Sequence, residues 1–440
     1  MTNVPPFTKD PSDYNTDTLW NLMAFATQAA SGAILTIGLY FYSGATYLGI
    51  FNQLYAIFVI AGQLFVFGLH DSVSKHSAEY FYDTIESARL TLAVLFVGIV
   101  AALIGSAVVL IGANTFAKYF YSEPVQFGLL WMAPGIFFFV INKVLLGLFN
   151  GRQKFKRFAI VQSLRAVTLV SLVFFVVLTE LYIGYLGLCF TLTELVIFVS
   201  QINITFSIWR KSHESLNSFW DVRFWMKRHI TFGTLSMPHG FLSESFIRID
   251  ILVLAFFVGD AAIGIYSFAS FFVEGVYQIP VLIRNVTNPR LVRILGNRDR
   301  TELWKQVKKS SGLSFLFTII LCVIIASGLS YIGQYLDIEN LDTLLAIMMI
   351  IFPGLIVYSL FIPFDYAVLQ GGKPALQSLY MFMVSLLNVM ANLILIPTYG
   401  LIGAAIGTTI SMAVSGGILI AFIYFVFNIP DWPKHNLQNK

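Results

Sequence analysis

Long apolar segments alternate with short polar connections along the whole chain. A helix needs about 20 mostly apolar residues to cross the hydrocarbon core of a bilayer. By that rule the pattern predicts twelve membrane-spanning helices and an all-α integral membrane protein. The segments are 20–42, 45–69, 90–113, 125–149, 158–179, 181–208, 231–258, 261–284, 311–332, 343–369, 376–397 and 400–428.

The composition supports a location in the membrane. Hydrophobic residues make up 57% of the 440 residues and charged residues only 11%, whereas a typical soluble domain has about 25% charged residues. Cys189 and Cys322 lie far apart in apolar segments and belong to no disulfide framework or metal-binding motif. We therefore expect neither a metal nor a cofactor.

Lysine and arginine are concentrated on alternate connections, as expected when positive residues stay in the cytoplasm. With a cytoplasmic N-terminus, the inside connections and tails hold 23 of the 27 Lys and Arg, counting Arg284 at a helix end, and the outside connections hold only Lys118. The distribution predicts that both termini are cytoplasmic. The inside connections are 70–89, 150–157, 209–230, 285–310 and 370–375.

Two basic clusters, 151–157 and 290–309, resemble nucleic-acid patches in charge alone. Both fall in predicted cytoplasmic connections, where contact with anionic membrane lipids is the simpler interpretation. We expect membrane lipids as partners there, and no nucleic acid. The segment 209–230 mixes Trp with Lys and Arg, which is typical of a connector lying along the membrane interface.

Similar short motifs recur about half a chain apart. Gly151 and Gly371 end corresponding segments at an offset of 220, and the G-x-x-G pairs of 182–187 and 398–403 recur at 216. Motifs that recur at nearly equal offsets, in corresponding positions of the predicted helices, indicate a duplication. Since each copy has six helices, we predict two lobes related by a pseudo-twofold along the membrane normal. The predicted parts are a tail (1–19), an N-lobe (20–208), the connector (209–230), a C-lobe (231–428) and a tail (429–440).

No catalytic motif of a hydrolase, nucleotide-binding enzyme or metalloprotease is present, and the longest connection is about two dozen residues. A membrane-bound transferase or ligase would need a large outward loop bearing His or Arg. The sequence therefore predicts a protein that is not an enzyme.

Four stretches resemble helix signatures of a known transporter family. They are "LLNVMANLILIPTYGLIGAAIGTTIS" (386–411), "RIDILVLAFFVGDAAIGIYSFA" (248–269), "FVEGVYQIPVLIRNVTNPRL" (272–291) and "LLGLFNGRQKFKRFAIVQSLRAV" (145–167). The chain is similar, over essentially its whole length, to the polysaccharide-exporter branch of the MOP flippase superfamily, the Wzx-type flippases.

The resemblance implies a MOP/MATE-like transporter that works by alternating access in the bacterial inner membrane. Its substrate would be an undecaprenyl-diphosphate-linked oligosaccharide, such as an O-antigen, capsule or exopolysaccharide repeat unit. Association with polysaccharide polymerase machinery is a further expectation. The alternative is a MATE-type, cation-coupled exporter of small molecules, which an acid-rich set of embedded charges would suit.

Ionisable residues inside the predicted spans are candidates for function, because each costs a few kcal/mol at the bilayer centre. Glu244 and Arg248 are four residues apart and share a helix face, whereas Asp250 points elsewhere. Pro238 can kink the same helix below them. The eight embedded residues are Lys143, Arg165, Glu194, Glu244, Arg248, Asp250, Glu274 and Asp365.

Two interpretations of the basic residues stay open. Arg248, with Lys143 and Arg165, would contact the diphosphate or acidic sugars in the lumen, with Glu244 beside them. Alternatively, Glu244 neutralises Arg248 in a structural pair, while Lys143 and Arg165 snorkel towards the cytoplasmic face.

The embedded acids suggest ion coupling. Glu194, Glu274 and Asp365 are isolated in apolar stretches, and Asp250 matches a position in the family pattern. One of them would carry H+ or bind Na+ during the transport cycle. The alternative for each is a hydrogen bond to a Ser, Thr or Tyr of a neighbouring helix.

Overall fold

The computed structural model describes residues 11–120, 122–213, 219–246, 248–335 and 338–427. All regular elements within these ranges are helices, which confirms the predicted all-α class. The first half contains α1 (Pro11–Ser43), α2 (Ala45–Val66), α3 (Leu69–Glu79), α4 (Thr84–Phe120), α5 (Glu123–Gly151), α6 (Phe155–Leu178) and α7 (Leu186–His213). The second half contains α8 (Phe219–Phe246), α9 (Ile249–Leu254), α10 (Asp260–Asn297), α11 (Arg300–Tyr335), α12 (Leu341–Ser359), α13 (Ala367–Gln370) and α14 (Pro374–Phe427).

Ten of the described helices are long and apolar enough to cross a membrane. The difference from the twelve predicted segments arises at two places. Segments 376–397 and 400–428 form the single 54-residue α14, joined at Gly400, whose backbone (φ 56°, ψ −129°) is not helical. Only glycine adopts such a conformation at low cost. Segment 231–258 is divided between α8 and the short α9, and α8 is not among the ten.

The interruption between α8 and α9 lies at Arg248. α8 stays helical through Pro238 and ends at Phe246, and Arg248 (φ −110°, ψ −10°) precedes the first residue of α9. A proline removes one helical hydrogen bond but does not always end the helix. The sequence pointed to Pro238 as the place of a bend and gave no sign of a break at the arginine.

The chain divides into two compact units that do not follow its order. The first contains the residues up to Gly38, Ala61–Ala117 and Glu123–Met237. The second contains Leu39–Ile60, Lys118–Ser122 and the residues from Pro238 onward. The predicted lobes, 20–208 and 231–428, stay a prediction.

In the first unit, α3 packs closely on α5 through glycines. A Cβ atom on Gly147 would lie 2.3 Å from the backbone oxygen of His70, and one on Gly151 would lie 2.2 Å from that of Ser74. Any side chain at these glycines would force the helices apart. The short α3, which the sequence placed in a connection, is thereby held beside α5.

In the second unit, α2 and α10 cross at two glycines. A Cβ atom on Gly49 would lie 1.8 Å from the backbone oxygen of Asp260, and one on Gly264 would lie 1.8 Å from that of Ala45. Ala45 and Gly49, four residues apart on α2, and Gly264 on α10 are small enough to allow this approach, as in many membrane helix pairs. Beside the crossing, the Asp260 carboxylate accepts a hydrogen bond from Gln53 Nε2 at 2.7 Å.

The described surface is strongly apolar on several helices. Leu103 and Ile111 of α4 are 57% and 76% exposed, and Val323 of α11 is 59% exposed. Contiguous apolar surface of this kind is unusual on a soluble monomer. The chain is therefore a multi-pass membrane protein whose outward side chains suit lipid.

Candidate functional site

A buried ion pair joins α6 and α7 in the first unit. Arg165 Nε lies 2.8 Å from Glu194 Oε1, and the Glu194 and Arg165 side chains are 2% and 19% exposed. Asn142 Nδ2 of α5 donates to Glu194 Oε2 at 2.8 Å. Pairing and hydrogen bonding offset the cost of removing both charges from water. The expectation that Glu194 is isolated was wrong, since Arg165 reaches it from the preceding helix.

Lys143 of α5 lines a cavity of about 160 Å³ in the same unit, together with His70 and Asp71 of α3 and Gln162 of α6. Burial, with a smaller contribution from Lys143, lowers the pKa of His70 to about 3, so its imidazole is neutral at physiological pH. Gln162 Oε1 also accepts a hydrogen bond from Arg165 at 3.0 Å. Lys143 and Arg165 therefore belong to one polar region.

Arg248 of the second unit contacts an aromatic ring rather than an acid. Its guanidinium carbon lies 4.2 Å from the centroid of the Tyr55 ring, a cation–π contact. Arg248 Nε is buried and has no hydrogen-bond partner. Glu244 is exposed, and among the described residues no ion pair joins it to Arg248. The structural Glu244–Arg248 pair, one of the two interpretations from the sequence, is therefore not formed among the described residues.

Asp250 lies in a buried cluster of neutral polar groups. Its carboxylate accepts hydrogen bonds from Asn392 Nδ2 at 2.7 Å, Thr408 Oγ1 at 2.7 Å and Tyr266 OH at 3.1 Å. Asn392 Nδ2 also lies 3.1 Å from Asn388 Oδ1. The cluster gathers α9, α10 and both parts of α14 around one carboxylate.

The Asp250 cluster has the donor chemistry of a small hard cation site. Asn392 Oδ1 is buried without a hydrogen-bond partner, and the two ends of an amide are interchangeable by rotation. With the amide rotated, oxygens of Asp250, Asn388, Asn392 and Thr408 would all face inward. Oxygen ligands of this kind suit hard cations.

Glu274 of α10 is half-buried and lies close enough to interact electrostatically with both Arg248 and Asp250. The positive charge of Arg248 stabilises its carboxylate, and the negative charge of Asp250 opposes it. Glu274 thus interacts with both Arg248, which precedes α9, and Asp250, which lies in the first turn of α9. The sequence had led us to expect an isolated Glu274, and the structure instead places it near these two charged residues.

Asp365, between α12 and α13, forms the second buried ion pair. Its Oδ2 lies 2.8 Å from Arg284 Nη1, and the Arg284 and Asp365 side chains are 12% and 6% exposed. The Arg284 guanidinium carbon lies 4.2 Å from the centroid of the Tyr366 ring, and Gln377 Nε2 donates to the Asp365 backbone oxygen at 2.8 Å. The expected isolation of Asp365 was wrong.

The sequence missed several polar partners of these residues. Arg284 had been counted only among the positive residues at helix ends that orient the chain in the membrane. Asn388 and Asn392 lie four residues apart in an otherwise apolar stretch, so a shared polar face was visible there. Thr408 gave no such signal, because threonine is ordinary in membrane helices.

The eight predicted residues are divided between the two units. Lys143, Arg165 and Glu194 belong to the first unit, and Glu244, Arg248, Asp250, Glu274 and Asp365 belong to the second. In the part of the chain that the structure describes, no group of three or more His, Cys, Asp or Glu could hold a metal.

Comparison with known proteins identifies the family. Residues 16–295 match the family model described as "Polysaccharide biosynthesis protein". No curated protein sequence matches the chain significantly.

Solved structures share the fold at low sequence identity. An inward-facing multidrug resistance MATE transporter of the MOP superfamily matches with a TM-score of 0.66 and 15% identity, over 94% of both chains. The lipid II flippase MurJ in an inward closed conformation matches at 0.67 and 17%, over 94% of this chain and 88% of that one. A MOP superfamily transporter from Pyrococcus furiosus matches at 0.62 and 15%, over 95% of both. The chain therefore belongs to the polysaccharide biosynthesis protein family and has the fold of the MOP superfamily transporters.

Proposed function

We propose that the chain is a flippase for an undecaprenyl-diphosphate-linked oligosaccharide, an O-antigen, capsule or exopolysaccharide repeat unit. It would move this substrate from the inner to the outer leaflet of the bacterial cytoplasmic membrane by alternating access. The family match carries the proposal, because it joins a polysaccharide biosynthesis family to a transporter fold. One of the structures with that fold is described as a lipid II flippase.

The diphosphate would meet the basic residues of the candidate site. Arg248 is the strongest candidate, because it has an unused buried Nε and no acidic partner within 4 Å among the described residues. Guanidinium groups suit phosphate oxygens. In the first unit, Lys143 lines the cavity of about 160 Å³, and Arg165 donates a hydrogen bond to Gln162, which also lines it. Both would offer positive charge there. Glu244, exposed near Arg248, would accept hydrogen bonds from sugar hydroxyls.

The coupling ion, H+ or Na+, would bind at Asp250. Its carboxylate is buried among Asn388, Asn392 and Thr408, and no basic residue of the described ranges lies within 4 Å of it. Glu194 and Asp365 are already paired with arginines, so they are weaker candidates. Glu274, near Asp250, would sense the charge state of the site.

Deletion of the gene in its host tests the substrate. We expect surface polysaccharide to be lost, the lipid-linked repeat unit to accumulate, and both effects to be reversed by the wild-type gene on a plasmid.

The alternative, a MATE-type exporter of small cationic molecules, is supported by the five acids among the eight embedded residues. Unchanged surface polysaccharide together with sensitivity to cationic dyes would favour that exporter.

Binding of radioactive sodium to the purified protein tests the ion site. Asp250→Ala and Thr408→Val are expected to weaken binding at least tenfold. Thr409→Val is the matched control, because the Thr409 hydroxyl bonds the backbone oxygen of Ile350 at 2.7 Å instead. No sodium binding, with export that stops when a protonophore collapses the gradient, would assign a proton. Export that depends on neither ion would contradict coupling.

A further inference from the structure

A second cavity of about 230 Å³ lies in the second unit, beside the Arg284–Asp365 ion pair. Side chains of α8, α10, α12 and α14 line it, and most of the polar ones are tyrosine or glutamine. Pockets for drug-sized ligands measure about 300–1,000 Å³. This cavity therefore suits one small ring-sized group rather than a whole oligosaccharide.

Several residues that line this cavity carry a buried polar atom without a hydrogen-bond partner. The ion pair uses Arg284 Nη1 and Asp365 Oδ2, which leaves Arg284 Nε as an unused donor and Asp365 Oδ1 as an unused acceptor. Ser385 Oγ is also buried without a hydrogen-bond partner, and the residue is 6% exposed. Unsatisfied buried groups are rare in proteins and point to a missing polar ligand or water.

The aromatic wall supplies the complementary apolar surface. Tyr358 and Tyr380 are 5% and 3% exposed, and Tyr277 and Tyr366 complete the lining. Tyrosine presents a flat apolar ring together with a hydroxyl that can hydrogen-bond. A pyranose ring has the matching pair of surfaces, an apolar C–H face and a rim of hydroxyls that both donate and accept.

The charge of the cavity argues against a diphosphate or an organic cation as its ligand. Arg284 and Asp365 neutralise one another at 2.8 Å, so the site offers no net charge to attract a diphosphate or an organic cation. Binding either ion would require the pair to separate, which is costly in a buried site. A neutral sugar leaves the pair intact and satisfies its unused atoms.

We propose that this cavity is a sugar subsite that holds one uncharged hexopyranose ring, with Asp365 Oδ1 and Ser385 Oγ bonding its hydroxyls and the tyrosines packing on its C–H face. As part of a transport cycle, the subsite rests on the proposed function, because the ring would belong to the translocated glycan. Sugar binding itself can be tested without transport.

Saturation-transfer NMR on the purified full-length protein measures this binding directly. The probes are glucose, galactose, mannose and their 2-acetamido derivatives, with inorganic pyrophosphate as the charged comparison. We expect saturable binding of at least one hexopyranose. Ser385→Ala should weaken it about two- to tenfold, the range for one hydrogen bond, and Ser385→Leu, which fills the cavity, should abolish it.

Ser87→Ala is the matched control. Ser87 is 1% exposed and its Oγ also lacks a partner, but it lies on α4 of the first unit and does not line this cavity. Ser385→Ala removes an unbonded hydroxyl, so folding should be preserved even if the leucine variant fails to express. Binding by no hexopyranose, a cavity filled by water only, or equal binding by Ser385→Ala and the wild type would overturn the subsite.

Complementation of a deletion strain separates the two proposals. If the wild-type gene restores surface polysaccharide while Ser385→Leu is folded and equally active, the subsite fails and the flippase stands. If the wild-type gene restores nothing and surface polysaccharide never depended on it, the flippase fails. The NMR result then decides sugar binding by itself.

Discussion

At the scale of single residues, two buried ion pairs among the described residues neutralise an arginine with a specific acidic neighbour. Arg165 pairs with Glu194 and Arg284 pairs with Asp365, each at 2.8 Å. Among the described residues, Arg248 instead has the Tyr55 ring as its contact, and Asp250 has only neutral hydrogen-bond partners. The paired residues are explained by structure alone, whereas Arg248 calls for a further partner.

Substitution of Arg165 tests the cost of breaking a buried pair. Arg165→Ala leaves the Glu194 carboxylate, 2% exposed, without its cation, and we expect a loss of about 3 kcal/mol in stability. The measurement is thermal unfolding in detergent. The exposed Arg157 on the same helix is the control, and Arg157→Ala should change little. A double variant, Arg165→Met with Glu194→Leu, should recover part of the loss, and equal effects of the two alanine variants would contradict the pairing.

Substitution of Arg248 tests a direct role in transport. We expect Arg248→Ala to abolish glycan export while the protein still inserts, and Arg248→Lys to restore it partly, because lysine keeps the charge without the planar fork. Export is measured as surface polysaccharide in a deletion strain, and insertion as protein in the membrane fraction. Tyr55→Phe, which keeps the ring beneath Arg248, is the control. Full export by the alanine variant would leave Arg248 a structural residue.

At the scale of helices, close crossings fix the architecture at positions where only glycine fits. The contact of Gly49 and Gly264 brings α2 onto α10 within the second unit, and Gly147 holds α3 on α5 in the first. α2 and α5 are largely apolar along their length, so hydrophobicity alone does not select their contacting faces in a membrane. Backbone proximity at small residues selects it instead.

Gly264→Ala is therefore expected to destabilise the protein, because its Cβ would overlap the backbone oxygen of Ala45. Gly275→Ala on the same helix has no heavy atom within 4 Å of the added Cβ. It should be neutral or stabilising by up to about 1 kcal/mol, the gain expected from alanine in a helix. Melting temperatures of the two purified variants check the difference. Equal temperatures would mean that α2 and α10 do not cross here.

At the scale of the whole molecule, the distribution of Lys and Arg predicts the orientation in the membrane. Glu339 lies in a predicted outside connection, and Arg293, 67% exposed in its side chain, lies in a predicted cytoplasmic one. In a background with Cys189 and Cys322, both buried, replaced by serine, we expect Glu339→Cys to react with a membrane-impermeant maleimide in intact cells. Arg293→Cys should react only after lysis. The reverse pattern would invert the topology.

The sequence alone determined the class, the family resemblance and most helices, because these depend on apolar length and diffuse helix signatures. It also singled out eight candidate ionisable residues, since a charge in an apolar segment is conspicuous whatever its neighbours, but it did not count Arg284 among them. Only the tertiary structure decided their partners. Arg284 reaches Asp365 across 81 positions, and Asn392 and Thr408 reach Asp250 across 142 and 158.

Contacts between residues so distant along the chain leave no local pattern, because no helical periodicity links them. The break at Arg248 was likewise invisible in the sequence, since no proline or glycine lies within residues 244–254. The sequence indicated most of the places where charge is buried in this protein. The fold decided which charges are neutralised in place and which stay available to a ligand.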